Sequence, residues 1–206
     1  MSFALSQHAR NMQIRDWSGF YARVPKDRPS FLAREALARV DFKGRFLDMG
    51  CGTCNDILFA LNDGFDQALG IDASHEAIVY AKKIHEQFGS RFRFSQVLFE
   101  EFDFGTNKFD WINANFTLSF ANPHSWPRIF KGIHGSLSTS GVCSVTMFGH
   151  EDYRCNPHTG VTPVMETELQ EFFPDCRTVT TVVNFPGVNG TVHYFRVIAK
   201  KSDSPL

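Results

Sequence analysis

The sequence predicts an α/β fold built on a mostly parallel sheet that ends in an antiparallel hairpin. Residues 45–72 read as a strand, a glycine-rich turn, a helix and a second strand, which is a βαβ unit with parallel strands. Further apolar runs alternate with helical segments as far as residue 173. Residues 177–200 instead hold two β-rich runs around a Pro-Gly-Val-Asn-Gly turn, which predicts a hairpin.

Each predicted element rests on a local pattern. Ser30 caps a helix over residues 30–40, which follows a short helix and a loop within residues 1–28. Gly89 ends an amphipathic helix that follows Ser74 as its cap. The other predicted helices are 55–62, one from His124 or Ser125 to about Leu137, and 166–173. The predicted strands are 45–49, 67–72, 91–97, 109–115, 142–148, 177–185 and 191–200.

Composition narrows the function classes. The chain of 206 residues has 21 basic and 22 acidic side chains, so its charge offers little attraction to nucleic acid. It contains no apolar run long enough for a membrane span, and residues 1–29 lack the apolar core of a signal peptide. We therefore expect a cytoplasmic protein without a membrane partner. The five cysteines are odd in number, which argues against a disulfide framework or a four-cysteine zinc site, and we expect no metal.

The glycine-rich turn within residues 46–56 predicts a ligand site. Gly50 and Gly52 allow a ligand to approach the backbone, and the helix that follows points its free amides at the same turn. A dinucleotide fingerprint requires a glycine or alanine three residues after the second glycine, where this chain has Asn55. Asp48 would also repel a pyrophosphate, because the two anions would lie close together. A cationic, amine-bearing ligand suits the turn better.

The same turn spells Cys51-Gly52-Thr53-Cys54, a C-x-x-C motif. A redox motif of this kind normally opens a helix without a preceding glycine-x-glycine turn. We therefore favour small residues packed beside a ligand over a redox centre.

The run "LDMGCGT" at 47–53 resembles motif I of the class I S-adenosylmethionine-dependent methyltransferases. Asp72 in "GIDAS" stands at motif II, and "FDWINANFTLSF" at 109–120 stands at motif IV. Residues 137–141 read "LSTSG" where the family usually has "L-x-P-G-G", so this chain departs from the pattern but keeps the glycine at Gly141. The resemblance covers nearly the whole chain and is greatest to compact tellurite-resistance and thiopurine-type bacterial enzymes. It implies a three-layer Rossmann-like methyltransferase sandwich with a seven-stranded sheet.

The resemblance also implies S-adenosylmethionine as the cofactor and assigns roles to residues. Asp72 would accept hydrogen bonds from both ribose hydroxyls, and Asp48 would hold the methionine ammonium directly or through water. Asn113 and Asn115 are expected to point alternately, so that one faces the methionine end. Adenine contacts are expected from Ala73 and from the backbone of Phe99 and Glu100. The expected cofactor-binding residues are Trp17, Tyr21, Asp48, Gly50, Cys51, Gly52, Asp72, Ala73, Phe99, Glu100, Asn113 and Asn115.

Methyl transfer from a sulfonium is an in-line displacement, so the enzyme mainly positions the acceptor and, where needed, removes a proton. The predicted catalytic bases are His150 and His193, with His158 as a further candidate, because histidine titrates near neutral pH. We expect a small-molecule acceptor enclosed by the N-terminal segment, residues 149–162 and the His193 edge of the hairpin. The acceptor atom and the oligomeric state stay open.

We expect a single methyltransferase domain over residues 1–206. It would consist of an N-terminal lid at 1–29 that carries Trp17 and Tyr21, a core at 30–201, and a tail at 202–206. Two other functions stay open: a protein of the same fold that binds S-adenosylmethionine without turnover, and a nicotinamide oxidoreductase, which would need a third glycine and a sixth parallel strand.

Overall fold

A seven-stranded sheet forms the centre of the computed structural model, which describes residues 17–106, 108–156 and 158–201. The strand order is β3-β2-β1-β4-β5-β7-β6. The strands are β1 Arg45–Met49, β2 Gln67–Asp72, β3 Phe92–Gln96, β4 Phe109–Asn115, β5 Leu137–Phe148, β6 Cys176–Gly187 and β7 Gly190–Lys201.

The first five strands pair in parallel, whereas β7 runs antiparallel to β5 and β6 runs antiparallel to β7. Gly187 pairs with Gly190 at the end of the hairpin, as its turn chemistry predicts. The predicted α/β fold with a terminal antiparallel hairpin is therefore confirmed. Because β7 is antiparallel, the sheet lacks the sixth parallel strand of a dinucleotide-binding domain.

Helices cover both faces of the sheet. They are α1 Ser18–Tyr21, α2 Phe31–Leu37, α3 Asn55–Asn62, α4 Ala77–Phe88, α5 Trp126–Ser136 and α6 Glu166–Glu171. The Ser30 side chain accepts a hydrogen bond from the Ala33 amide at 3.0 Å, which confirms the predicted cap of α2. Gly89, at φ 55°, ends α4 as expected, but α4 begins at Ala77 and not directly after Ser74.

Strand β5 starts five residues earlier than the prediction. Leu137 pairs with Phe109, and the register then shifts before Val142 pairs with Trp111, so the segment 137–141 is a bulged part of the strand. The sequence concealed this extension because its serines and glycine resemble a loop. A Cβ atom at Gly141 would lie 2.9 Å from the Ser138 carbonyl oxygen, so only glycine fits the bulge without a shift.

Two apolar clusters lie on opposite faces of the sheet. One packs α5 against Leu47 and Ile112, and the other packs α2, α3 and α4 against Phe46 and Trp111. The Phe46 and Trp111 rings are fully buried and stack with their centroids 4.2 Å apart. Within the described part of the chain, no helix is long and apolar enough to cross a membrane.

We predict that Trp111→Ala lowers the free energy of unfolding by about 3–5 kcal/mol, the usual cost of truncating a buried tryptophan. The variant removes the stacking on Phe46 and the indole hydrogen bond to the Ser144 hydroxyl, 2.9 Å away. Urea unfolding measures the change, and Val188→Ala at the exposed hairpin turn is the control with a change near zero. A loss below about 1 kcal/mol for Trp111→Ala would contradict this description of the core.

Candidate functional site

A cavity of ≈ 680 Å³ lies at the carboxyl ends of the parallel strands. Its walls come from the turn after β1, the ends of β2 and β4, the segments after β3 and β5, and residues 17–30. In open α/β sheets, ligands bind at this edge. The described part of the chain therefore has one large cavity where the sequence predicts the ligand turn.

The two glycines of the turn are required by packing. Gly50 and Gly52 have φ values of 72° and 45°, which disfavour a side chain. A Cβ atom at Gly50 would overlap the Thr117 side chain, which donates a hydrogen bond to the Met49 carbonyl at 2.9 Å. A Cβ atom at Gly52 would lie 3.0 Å from the Tyr21 ring. The glycines therefore let β4 and the N-terminal segment close on the turn.

Asp72 ends β2 inside the cavity and is 7% exposed. Its carboxylate accepts hydrogen bonds from the amides of Gly52 at 2.9 Å and Ser74 at 2.8 Å, one on each oxygen. Burial raises the pKa of Asp72, while these bonds and the Tyr21 hydroxyl oppose the shift. A carboxylate has about four acceptor sites. The Gly52 and Ser74 amides and the Tyr21 hydroxyl use three of them, so one site remains for a hydroxyl group of a ligand.

A network of buried polar side chains lies beside the turn, and Asn113 of β4 is at its centre. The Asn113 amide nitrogen donates to Asp48 at 2.9 Å and to Asp56 at 3.0 Å. Its oxygen accepts from the Ser144 hydroxyl at 2.8 Å. Asp56 also accepts from the Ser30 amide and hydroxyl at 2.6 and 2.8 Å. Two carboxyl groups from β1 and α3 therefore share one amide group.

Within the described part of the chain, the two carboxyl groups have no cationic partner. Asp48 is 4% exposed and Asp56 is 8% exposed, and no ion pair to either is found among the described residues. Burial and the neighbouring charge of Asp56 raise the pKa of Asp48 well above its usual value. Burial likewise raises the pKa of Asp56, against its bonds to Ser30 and Asn113. An unpaired buried carboxylate pair is costly, and a bound cation would relieve it.

The predicted adenine contacts lie together in the cavity wall. Ala73, Phe99 and Glu100 line the cavity, as does Leu98, which the sequence analysis did not select. The Glu100 carboxylate accepts the Asn122 amide at 2.9 Å. This bond fixes the side chain toward the turn before α5, so the wall between Ala73 and Leu98 is apolar and suits a flat base.

Several residues within 17–30 line the cavity, whereas residues 1–16 of the predicted lid lie outside the described residues. Trp17 and Tyr21 line the cavity, and Tyr21 is 6% exposed. Burial and the charge of Asp72 raise the pKa of Tyr21, so its hydroxyl stays protonated and can donate. Asn55 ties the segment to the turn, because its amide nitrogen donates to the Pro25 carbonyl at 2.7 Å.

Two expectations about polar residues need revision. Asn113 and Asn115 do not alternate, because residues two apart on a strand share a face. Asn113 is fully buried in the carboxylate network, whereas Asn115 lines the cavity. The sequence predicts Asp56 only as part of a helix start, whereas the structure places it beside Asp48 on the Asn113 amide. One feature of the sequence could have indicated this network: Asn113 is a polar residue between apolar neighbours in a strand predicted to be buried.

The structure does not bring the predicted bases to the cavity. His150 is exposed and lies outside the cavity wall. The His193 ring packs on Gly149, and its Nδ1 atom accepts the Glu151 amide at 3.2 Å. His158 is also absent from the cavity wall. The base roles of His150 and His193 therefore find no support in the geometry.

Cys51 and Cys54 are buried in the turn with their sulfur atoms 3.8 Å apart. The hydrogen bond with Cys54 and burial raise the pKa of the Cys51 thiol well above its usual value. A redox-active thiol needs a lowered pKa, so this geometry favours the packing role over the redox role. Cys51 lines the cavity, as predicted for a residue beside the ligand.

The sheet order, the glycine turn after β1 and the acid at the end of β2 define a class I methyltransferase fold. Residues 46–141 match the family described as "Methyltransferase domain". The carboxy-S-adenosyl-L-methionine synthase of Campylobacter concisus is 30% identical over 118 residues, which are 56% of this chain and 50% of that protein. The chain spans about half the length, or less, of the curated relatives it matches.

Solved structures share the fold. The 1,6-didemethyltoxoflavin-N1-methyltransferase of Burkholderia thailandensis, solved with 1,6-didemethyltoxoflavin and S-adenosylhomocysteine, has a TM-score of 0.70 and 19% identity, covering 98% of this chain and 93% of that chain. TehB from Haemophilus influenzae has a TM-score of 0.68 and 16% identity, covering 90% and 66%. These matches confirm the predicted resemblance in fold to class I S-adenosylmethionine-dependent methyltransferases.

We predict that Asp48→Asn raises the free energy of unfolding of the ligand-free protein at pH 7. A raised pKa means that the folded protein holds the Asp48 proton more tightly than the unfolded chain does. This contribution to stability is present below the usual value of 3.8 and is lost as the pH rises through the folded pKa. The asparagine keeps an oxygen for Asn113 and removes the buried charge.

Urea unfolding between pH 5 and pH 7 tests this effect, and the advantage of Asp48→Asn should shrink as the pH falls. Asp66→Asn is the control, because Asp66 is exposed and lies outside the cavity. If Asp48→Asn is less stable than the wild type across this pH range, the charge of Asp48 does not destabilise the folded protein and the prediction is wrong.

Proposed function

We propose that this protein binds S-adenosylmethionine in the cavity and transfers its methyl group to a small-molecule acceptor. The observation that carries the proposal is the buried acid pair Asp48 and Asp56 beside the glycine turn, without a cationic partner among the described residues. The α-ammonium group of the methionine part would pair with these carboxylates. Such pairing offsets the burial cost that raises both pKa values.

The remaining polar groups suit the rest of the cofactor. Asp72 would accept a hydrogen bond from a ribose hydroxyl at the acceptor site that Gly52, Ser74 and Tyr21 leave free. Ala73, Leu98 and Phe99 give an apolar wall for the adenine ring, and Tyr21 covers the turn. The cavity volume of ≈ 680 Å³ is within the range of pockets that enclose a ligand of this size with room for an acceptor.

The bound cofactor would supply an electrophilic methyl group on a sulfonium that is already a good leaving group. The protein's residues therefore need to orient the acceptor in line and exclude water. Histidine and lysine are absent from the described cavity wall, so an acceptor that is already nucleophilic at neutral pH fits this site best. A small molecule is the acceptor that an enclosed cavity admits, and the near-neutral net charge of −1 offers little to nucleic acid.

We expect Asp48→Asn to weaken S-adenosylhomocysteine binding by about 1.5–3 kcal/mol, the range for hydrogen bonds to charged groups. Binding of 5′-methylthioadenosine should be unchanged, because that ligand lacks the amino-acid part. Calorimetry with both ligands and with NAD measures the difference, and Asp66→Asn is the control variant. Equal losses for both adenosine ligands would remove Asp48 from the ammonium site, and tight NAD binding with no response to either would overturn the cofactor assignment.

Turnover is tested separately with S-adenosylmethionine labelled in its methyl group. We expect label to enter one or more members of a panel of small phenols, thiols, amines and carboxylates, and not tRNA or peptide. Tight cofactor binding with no transfer to any class would instead favour the alternative, a protein that binds S-adenosylmethionine without turnover. Label in tRNA or peptide alone would overturn the small-molecule acceptor.

A further inference from the structure

A second group of cavity residues is aromatic. Four rings, here called the aromatic wall, line the cavity and contact one another in the order Trp17, Phe120, Phe148 and Phe116. The Trp17 and Phe120 centroids are 5.1 Å apart, edge to face, and Phe116 stacks on Phe148 at 4.8 Å. Flat apolar surfaces of this kind suit a planar ligand.

The Phe116 backbone holds its ring in this wall under strain. Its φ of 59° lies in the left-handed region, which is an outlier for a bulky residue. The Phe116 amide donates to the Thr146 carbonyl at 3.1 Å, and the ring also meets Tyr194 edge to face at 5.0 Å. Strained backbone conformations cluster at ligand-binding and active sites, where a side chain must be held in a fixed position.

One cation, Arg154, joins the aromatic wall. Its guanidinium carbon lies 4.2 Å from the centroid of the Phe148 ring, and Arg154 lines the cavity. The pKa values of Asp48, Asp56 and Asp72 are shifted by neighbours that do not include Arg154. The cavity wall therefore includes the acids at the glycine turn and, beside the aromatic wall, Arg154, while Arg28 of the N-terminal segment also lines it.

Asp152 fixes the orientation of Arg154 without covering all of its donors. The carboxylate accepts from Nε at 2.6 Å and Nη2 at 2.7 Å of Arg154. It also accepts the amides of Arg154 at 3.0 Å and His193 at 2.9 Å, so each oxygen has two bonds. Burial would raise the pKa of Asp152, but these bonds outweigh it and hold that pKa below its usual value.

The Asp152 carboxylate is thus saturated and 3% exposed, whereas the Arg154 side chain is 34% exposed. Guanidinium has five N–H donors. Asp152 uses the edge formed by Nε and Nη2, which leaves the edge formed by Nη1 and Nη2 for another acceptor. Because the Asp152 acceptors are all used, the ion pair of Asp152 and Arg154 offers a ligand only N–H donors. Two parallel N–H donors match a carboxylate, and the adjoining aromatic wall matches a flat ring.

We propose that the acceptor is a planar aromatic acid whose carboxylate binds the free edge of Arg154 while its ring packs on the aromatic wall. This inference rests on the proposed function, because it names the substrate class of the same site. Arg154 and Phe148 would determine specificity, and the methyl-accepting atom would lie on the ring or on a ring substituent. The positive charge of Arg154 disfavours cationic acceptors in this part of the cavity.

Calorimetry in saturating S-adenosylhomocysteine tests the inference with a panel of hydroxy- and amino-substituted benzoates, each paired with its neutral amide. Tyramine and cyclohexanecarboxylate serve as the cationic and the non-aromatic comparison. We expect at least one benzoate to bind ten times or more tightly than its amide, and tyramine and cyclohexanecarboxylate to bind more weakly. Arg154→Gln should abolish the preference for acid over amide, and Arg154→Lys should keep only part of it.

The control variant is Arg177→Gln, because Arg177 is exposed on β6 and lies outside the cavity. It should keep the full preference, and Arg154→Gln should keep its affinity for S-adenosylhomocysteine. A merely structural Arg154 would lower stability without changing the ratio of acid to amide affinity, which would overturn the inference. A wild type that binds no benzoate better than its amide would do the same.

The experiments distinguish a failure of the proposed function from a failure of the inference about the aromatic acid. If the wild type does not bind S-adenosylhomocysteine, the proposed function fails. If it binds this ligand and methylates neutral or cationic acceptors only, the proposed function stands and the aromatic acid is wrong.

Discussion

The hydrogen bonds from Asn113 to two buried carboxyl groups are the interaction on which the site depends. Through Asp48 and Asp56 the amide of β4 joins β1 and α3, and through the Ser144 hydroxyl it joins β5. A neutral amide can hold both acids in place but cannot neutralise them. The fold therefore buries two acid groups at the glycine turn, which costs stability when they are ionised, and a cationic ligand would offset that cost.

The same acids connect the core to the segment that covers the cavity. Asp56 accepts from Ser30 at the start of α2, Asn55 donates to Pro25, and Asp72 is bonded by the Tyr21 hydroxyl. These contacts all come from the turn that follows β1 or the end of β2. The residues that would bind the cofactor therefore also bind the N-terminal segment that lines the cavity. Cofactor binding and the position of this segment would be coupled directly through these residues.

The charge distribution inside the cavity separates two tasks. The acidic part lies at the carboxyl ends of β1 and β2, where the resemblance places the cofactor. Arg154 lies in the loop after β5, and the aromatic wall combines Phe116 and Phe120 after β4 and Phe148 at the end of β5 with Trp17 of the N-terminal segment. In folds that host many acceptors, these variable segments are where substrate choice is expected to lie, whereas the turn after β1 serves the cofactor.

The sequence by itself determined the order of the elements, the parallel sheet with its antiparallel hairpin, and the turn that carries Gly50 and Gly52. These features follow from local periodicity, glycine spacing and turn chemistry, which are properties of contiguous residues. The acid at the end of β2, Asp72, and the covering residue Tyr21 were selected through the resemblance, and both line the cavity. The bulged start of β5 was missed, because its pairing partner is on β4.

Only the tertiary structure decided which polar side chains meet. Asp56 and Asn113 are 57 positions apart, and Asp152 of the loop after β5 meets His193 of β7 41 positions later. No local pattern reports such distances, because they depend on strand register and on the path of each loop. For the same reason the sequence suggested histidines as bases, and the folded chain places them outside the cavity.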